Sequence, residues 1–215
     1  MELLRYLIDL ILHLDKHLDA VILSYGTGTY LLLAAIVFCE TGLVVMPILP
    51  GDSLLFTAGA FAARGSLNVL LLLALLSACA IAGDAANYAV GRFIGPKAFQ
   101  SKYSWVFKPE YLERTQRFYD KYGGKTIIIA RFVPVVRTFA PFLAGVGGMK
   151  YSQFGFYNIT GGLLWVFSIT LAGYFFGGLP IVEKNFGLVV IAIIIISILP
   201  AVFEYIKARR EAQVR

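Results

Sequence analysis

Two hydrophobic stretches of this chain, residues 38–56 and 127–148, are each interrupted by two prolines and two ionisable residues. The interrupting residues are Glu40, Pro47, Pro50 and Asp52 in the first stretch and Arg131, Pro134, Arg137 and Pro141 in the second. Proline breaks a helix because it lacks a backbone donor, and an ionisable group at bilayer depth costs about 2.5–3.5 kcal/mol on insertion scales. Such residues usually face a cavity, a partner or a ligand, so the pattern indicates a functional pathway within a membrane.

Composition places the chain among integral membrane proteins, because 59% of its 215 residues are apolar. At about 20 residues per pass, this length holds about four to six membrane passes and leaves little for a separate soluble domain. Backbone polar groups in lipid must be satisfied internally, which favours helices. The sequence therefore predicts one all-α membrane domain over residues 1–215.

The helices can be placed by their apolar runs. Four segments read as transmembrane spans: residues 20–37, 67–94, 151–179 and 186–206. The broken stretches, extended to residues 38–63 and 126–149, are predicted to be re-entrant hairpins, since interrupted backbone at membrane depth survives where protein or a wet cavity satisfies it. Residues 1–19 have the spacing of an amphipathic interfacial helix, and residues 96–125 are predicted to form a helical connector.

Positive charge is concentrated in two segments. Residues 92–125 hold eight basic and three acidic side chains, and residues 207–215 hold four basic and one acidic. The positive-inside rule places both in the cytoplasm, whereas the charge is too scattered for a nucleic-acid reader. The predicted spans then place both termini in the cytoplasm and give the two hairpins opposite orientations.

A weak internal repeat agrees with this arrangement. The sequence Gly-Arg-Phe-Ile-Gly at residues 91–95 matches Gly-Tyr-Phe-Phe-Gly at residues 173–177. Pro50 precedes the first copy by 41 residues and Pro134 precedes the second by 39. Inverted repeats with paired broken helices are typical of secondary transporters, whose site lies where the two breaks meet.

The first broken stretch carries two carboxylates. A carboxyl group in a low-dielectric site can take up and release a proton near neutral pH, so Glu40 and Asp52 are candidates for proton coupling. Asp52 or its neighbour Ser53 could instead cap the helix that resumes after Pro50 and Gly51. No such capping role is available to Glu40.

The second broken stretch carries Arg131 and Arg137 on either side of Pro134. A guanidinium stays charged and presents a planar fork suited to phosphate or carboxylate, so both residues are predicted to bind an anionic lipid head group. They could also neutralise Glu40 and Asp52 in buried pairs. Both interpretations hold if the substrate displaces one partner.

The span after the first hairpin presents a polar face of three residues, Asp84, Tyr88 and Arg92, spaced four apart. These three residues and Ser53 are accessory candidates for the site; Asp84 is either a site residue or the structural partner of an arginine. A neighbouring ridge of small residues suits helix packing and permits a homo-oligomer without requiring one: Gly83, Asn87, Gly91 and Gly95.

Several function classes are disfavoured. The two histidines, His13 and His17, lie on the interfacial helix with no further ligand nearby, and the cysteines Cys39 and Cys79 lie in apolar runs. Histidine-dependent membrane enzymes need an imidazole in the site, and there is no P-loop for ATP. We therefore expect no enzyme activity, no metal and no cofactor.

Three motif pairs in this order resemble the DedA family of bacterial inner-membrane proteins. They are Cys-Glu-Thr-Gly (39–42) with Pro-Gly-Asp-Ser-Leu-Leu-Phe (50–56), Gly-Asp-Ala-Ala-Asn-Tyr (83–88) with Gly-Arg (91–92), and Arg-Phe-Val-Pro (131–134) with Arg-Thr-Phe-Ala-Pro (137–141). The resemblance covers the chain from its amphipathic N-terminus to its basic tail. It implies two opposed re-entrant hairpins and a relationship to eukaryotic VTT-domain lipid scramblases.

The resemblance also implies a function. Family members are implicated in moving a polyprenyl phosphate carrier, or phospholipid, between leaflets with dependence on the proton motive force. Glu40 and Asp52 match the family's essential acids, and Arg131 and Arg137 match its essential arginines. We expect a flippase for an anionic lipid such as undecaprenyl phosphate, coupled to protons or sodium. The alternatives are an uncoupled phospholipid scramblase and a non-transporting membrane-assembly factor.

Overall fold

The computed structural model describes residues 14–43, 51–100, 119, 123–193 and 195, and its regular elements over these residues are all α-helices. In chain order they are α1 (Leu14–Tyr25), α2 (Gly28–Gly42), α3 (Gly51–Ala63), α4 (Val69–Gln100), α5 (Lys125–Ala130), α6 (Pro134–Val146), α7 (Tyr151–Phe176) and α8 (Pro180–Lys184). A further helical segment covers residues 186–193. The all-α prediction is confirmed for the part of the chain described.

Among the described residues, two helices are long and apolar enough to cross a membrane. They are Val69–Ile94, which forms most of α4, and Tyr151–Phe176, which is α7. Each has 26 residues and is therefore about 39 Å long at 1.5 Å per residue, which exceeds the roughly 30 Å of a bilayer core. The spans predicted at residues 67–94 and 151–179 coincide with these helices.

The span predicted at residues 20–37 is wrong as a single helix. α1 ends at Tyr25, and the chain turns at Gly26, which has a φ of +52°. Glycine adopts this left-handed conformation without the clash that a Cβ would cause, so α2 starts afresh at Gly28. It then runs to Gly42 and carries Glu40 in its last turn, past the predicted hairpin start at residue 38.

The interruption in the second broken stretch is at Pro134, as predicted. α5 ends at Ala130, and Val133 is extended with φ −119° and ψ 106°. Pro134 then opens α6 at a position where its missing N–H costs nothing. Pro141 lies inside α6 without ending it. That these helices form a re-entrant hairpin stays a prediction, and so does the single domain.

Other boundaries differ or lie outside the described residues. α4 continues through Pro96 to Gln100, so the first residues of the predicted connector are helical and continuous with the span. Pro96 has no N–H to donate to the carbonyl of Arg92, but it does not end the helix. The first break, with Pro47 and Pro50, lies outside the described residues, as do most of the connector, the basic tail and all but the last residues of the predicted interfacial helix.

The chain divides into two compact packing units. The first unit consists of residues 1–36, 48–77 and 166–215, and the second consists of residues 37–47 and 78–165. In the first unit, Phe56 and Ala60 of α3 pack with Phe186 and Val190. In the second, largely apolar residues of α4, α5, α6 and α7 form a separate buried cluster: Tyr88, Ile127, Ala130, Ala140, Ala144 and Phe154.

Within the first unit, α3 and the end of α7 approach each other through glycine. A Cβ on Gly59 would overlap the carbonyl of Thr170, and a Cβ on Gly173 would overlap the carbonyl of Phe56. Small residues of this kind let two helix backbones come together in a membrane protein. The contact uses a Phe-x-Ala-Gly sequence on α3 (56–59) and the second Gly-x-Phe-x-Gly copy on α7.

The second unit contains the same type of contact between α6 and α4. A Cβ on Gly145 would overlap the carbonyl of Tyr88, and a Cβ on Gly91 would overlap the carbonyl of Phe142. Here the sequences are Phe-x-Ala-Gly on α6 (142–145) and the first Gly-x-Phe-x-Gly copy on α4. The repeated sequence is therefore matched by a repeated packing contact, one in each unit.

Candidate functional site

The second unit contains a buried ion pair between Glu40 and Arg137. Glu40 lies in the last turn of α2 and has no exposed surface, while Arg137 lies one turn into α6 and is 7% exposed. Nη2 of Arg137 donates a hydrogen bond to Oε1 of Glu40. One acid of the first broken stretch thus meets one arginine of the second, as the pairing interpretation predicted.

Arg137 also lies over an aromatic ring. Its Cζ is 4.9 Å from the centroid of Trp165, a fully buried residue of α7. The face of an indole attracts a cation, and more strongly where water is excluded. The guanidinium is therefore held by a carboxylate and by the face of an indole.

Arg131 has a different carboxylate partner. Its Nη2 lies 2.5 Å from Oδ2 of Asp84, and both side chains are less than 5% exposed. The same nitrogen lies 2.5 Å from Oδ1 of Asn158 and 3.4 Å from the carbonyl oxygen of Ala80. The suggestion that Arg131 neutralises an acid of the first broken stretch is wrong, because its partner is Asp84 of α4.

The surroundings of Arg131 restrict its movement. Nδ2 of Asn158 donates to the carbonyl of Ile81 at 2.9 Å, which fixes the amide that receives the arginine. A Cβ on Gly161 would lie 3.2 Å from Cδ of Arg131, and one on Gly162 would lie 3.3 Å from Nη1. Two adjacent glycines of α7 therefore leave just enough room for the side chain.

Tyr88 and Arg92 contact the turn that joins α6 to α7. The hydroxyl of Tyr88 donates to the carbonyl of Met149, and Nη1 of Arg92 lies 3.0 Å from that hydroxyl and 3.3 Å from the same carbonyl. The ring of Tyr88 stacks on Phe154, with 4.4 Å between centroids. Tyr88 and Arg92 therefore stabilise this turn, and the structure does not bring them to Arg131 or Arg137.

Asp52 and Ser53 belong to the first unit. Both are buried in the first turn of α3, where a carboxylate favourably faces the positive end of the helix dipole. Oγ of Ser53 has no hydrogen-bond partner among the described residues. Ser53 therefore makes no capping hydrogen bond within the described part of the chain. The position of Asp52 suits an interaction of its charge with the helix dipole, and its proton-coupling role stays a prediction.

Three polar contributors were missed or undervalued by sequence reasoning. Asn158 and Trp165 lie in the long apolar helix α7 and received no role, and Asn87 was assigned to a packing ridge. A buried amide in an apolar span is itself a signal, because an unsatisfied amide in an apolar environment is costly. Among the described residues, no three His, Cys, Asp or Glu side chains are grouped to hold a metal ion.

Comparison with known proteins identifies the family. Residues 49–175 match the VTT domain, which covers more than half of the chain. The chain is 53% identical to the protein DedA of Escherichia coli K12 over 214 residues, covering 99% of this chain and 98% of that protein. No solved structure matches it significantly.

More distant relatives are also membrane proteins. An uncharacterised membrane protein of Mycobacterium tuberculosis H37Rv, Rv0364, is 42% identical over 193 residues, which are 87% of this chain and 85% of that protein. The inner membrane protein YghB of Escherichia coli K12 is 33% identical over 171 residues, 80% of this chain and 75% of that one. With its apolar helices and its match to the VTT domain, the chain is a membrane protein of the DedA family.

Proposed function

We propose that this protein is a flippase that moves an anionic polyprenyl phosphate lipid, such as undecaprenyl phosphate, between the leaflets of the bacterial inner membrane with dependence on the proton motive force. The observation that carries the proposal is the buried pair of Glu40 and Arg137. Arg137 is a charged, forked donor held in an apolar helical protein, and phosphate is a ligand that such a fork fits.

The pair suggests how a lipid phosphate and a proton could be exchanged. A phosphate that binds Arg137 replaces the carboxylate of Glu40 with another anion, so the guanidinium keeps its charge balance. Glu40 would then be buried without its cation, which costs several kcal/mol. Uptake of a proton removes that cost. Binding of the anion and protonation of Glu40 are therefore favoured together.

The two arginines have different parts in this proposal. Arg131 is fixed by Asp84, by Asn158 and by the close approach of Gly161. Arg137 has a carboxylate that an incoming anion could replace, and Trp165 would still hold its guanidinium. We assign direct contact with the phosphate to Arg137, and to Arg131 a positive charge that supports the anion from a fixed position.

The remaining features complete the proposal. Asp52, in the first unit, is a second proton-binding group, although sodium could serve in place of protons. The protein crosses the inner membrane several times with both termini in the cytoplasm, acts without a cofactor or metal, and catalyses no covalent reaction. The naming of YghB as an inner membrane protein supports the location.

The test is leaflet exchange in liposomes. Purified protein is reconstituted, and the movement of labelled undecaprenyl phosphate and of ordinary phospholipid is measured with and without a pH gradient. We expect gradient-dependent movement of the polyprenyl phosphate, lost in Arg137→Ala. Glu40→Gln, a neutral side chain of the same shape, should leave movement that no longer responds to the gradient. Arg64→Gln, at an exposed residue in the turn that follows α3, is the matched control.

Other outcomes would identify the alternatives. Equal movement of both lipids without regard to the gradient would make the protein an uncoupled scramblase. No movement of either lipid, with Glu40 and Arg137 variants that are lost from the membrane in parallel with any phenotype, would make it a non-transporting assembly factor.

A further inference from the structure

Asn87 connects the backbones next to the two members of the ion pair. It lies on α4 with no exposed surface. Its Nδ2 lies 3.2 Å from the carbonyl oxygen of Thr41 and 2.7 Å from that of Thr138. Thr41 follows Glu40 in the chain and Thr138 follows Arg137. A single amide group therefore holds the chain beside both charged residues.

The backbones that Asn87 joins lie where helical hydrogen bonding is incomplete. Thr41 is in the last turn of α2, and the carbonyls of a last turn have no donor within their own helix. Thr138 lies in α6 three residues before Pro141. That proline has no N–H to donate to the carbonyl of Arg137, four residues earlier, so the ladder is interrupted next to Thr138. In both segments the hydrogen bond from Asn87 therefore supplements a helix ladder that is incomplete nearby.

The hydrogen bonds of Asn87 are directional, unlike the contacts of the glycine ridge on the same helix. Gly83 and Gly91 permit close approach of α2 and α6 without specifying a register. Oδ1 of Asn87 has no hydrogen-bond partner among the described residues. The amide is thus anchored through its two donated hydrogen bonds, and both lead to the segments that carry the ion pair.

We propose that Asn87 is the positioning residue of the Glu40–Arg137 pair. Its two N–H groups hold the end of α2 against the start of α6, and this sets the relation between the carboxylate and the guanidinium. The inference rests on the proposed function in one respect: if the pair opens for a lipid phosphate, Asn87 sets how readily it does so. The positioning itself is independent of transport.

Trp165 supplies a reporter, because its ring lies 4.9 Å from Cζ of Arg137 and indole emission responds to nearby charge. The chain has two tryptophans, so Trp105→Phe leaves Trp165 alone. In that background, the Arg137→Gln variant gives the reference value, which is the emission maximum of Trp165 without the guanidinium beside it. We expect Asn87→Ala to move the emission maximum at least half of the way from the parent value to this reference.

The matched control is Asn158→Ala. It also removes a buried amide from the second unit, but that amide bonds to Arg131 and to the carbonyl of Ile81. Its emission should stay close to the parent value. An unchanged maximum in folded Asn87→Ala would overturn the proposal, and so would an equal shift in Asn158→Ala, which would indicate general loosening.

Asn87→Ser is a milder second variant that keeps one donor, and we expect it to give a smaller shift in the same direction. If neither Asn87 variant yields folded protein, the amide is required for folding as a whole and the positioning proposal is wrong. Emission is measured without lipid. A shift in a protein that moves no lipid would therefore support the positioning role while refuting the flippase function.

Discussion

Arg131 pairs with Asp84, with 2.5 Å between Nη2 and Oδ2, and both side chains are almost completely buried. A buried pair adds little net stability, because desolvation offsets the attraction, but loss of one partner leaves an uncompensated charge. The pair therefore ties α4 to the segment between α5 and α6, because separating the two would leave both charges buried without a partner.

The first prediction tests this pair. Asp84→Asn and Arg131→Ala should each lower the free energy of unfolding by about 3–5 kcal/mol, because each leaves one charge buried alone. The double variant Asp84→Asn with Arg131→Gln should recover much of the loss, since both charges are gone. Denaturation in detergent, followed by circular dichroism, measures the difference.

Arg92→Gln is the control for that series, because Arg92 is a solvent- or lipid-facing residue of the same helix. Its effect should be below that of either single variant. Similar losses in the single and double variants would contradict the interpretation, because they would show that the pair itself carries the stability.

The second prediction concerns Arg137 as the phosphate ligand. Arg137→Lys keeps the charge but loses the planar fork. Loss of one hydrogen bond to a charged group costs about 1.5–3 kcal/mol, so binding of labelled polyprenyl phosphate to the purified protein should weaken roughly 10- to 100-fold. Arg64→Lys, at an exposed position, should bind as the parent does. Unchanged affinity in Arg137→Lys would remove Arg137 from the phosphate site.

A third prediction tests the repeated helix contact. Gly59→Ala should lower the free energy of unfolding by about 1–3 kcal/mol, because the added methyl would overlap the backbone of Thr170 and must force the two helices apart. Gly155→Ala is the matched control in α7, where the added Cβ would have no neighbour within 4 Å beyond its adjacent residues and the local helix backbone. It should be neutral or stabilising, as alanine is the better helix former. Equal losses in both variants would show that the close approach is not what limits stability.

The fourth prediction concerns Tyr119, whose hydroxyl donates to the carbonyl of Ala140 at 2.7 Å. Burial raises the pKa of this phenol above its ordinary value, so the folded protein keeps the proton at a pH where the unfolded chain loses it. Stability from this source is therefore present below pH of about 10 and falls as the pH rises further. Tyr119→Phe should cost about 0.5–1.5 kcal/mol at pH 8.

The pH dependence distinguishes this effect from general loss of packing. Between pH 8 and pH 11, the melting temperature of the parent should fall more than that of Tyr119→Phe, so the difference between the two narrows. Parallel curves over this range would show that the hydroxyl does not titrate differently in the folded and unfolded chains.

Part of this architecture follows from sequence because its causes are local. A long apolar run such as 151–176 has few alternatives to a helix in lipid, and Pro134 ends one helix and starts another because its ring fixes φ and removes a donor. The residues of chemical interest were also visible locally, since Glu40 and Arg137 are ionisable groups in apolar surroundings. The Gly-x-Phe-x-Gly repeat was visible in the same way, although its packing role was not.

Some helix boundaries were predicted wrongly, because the backbone conformation of a single residue can end a helix within an apolar run. The run from residue 20 to residue 37 has the hydropathy of a span, but Gly26 adopts a positive φ and divides it. At the other long span, the connector predicted from residue 96 is helical at its start, but it continues α4 without a break as far as Gln100.

Hydropathy and proline chemistry act over short distances, so they are enough to predict a helical membrane protein with acids and arginines at broken apolar stretches. Which of these charges form pairs is a property of the folded chain. Arg131 pairs with Asp84, and Arg137 pairs with Glu40, a residue 97 positions away in the chain. Ion pairing depends on the distance between side chains in three dimensions, and the packing of α2, α4, α6 and α7 in the second unit sets that distance.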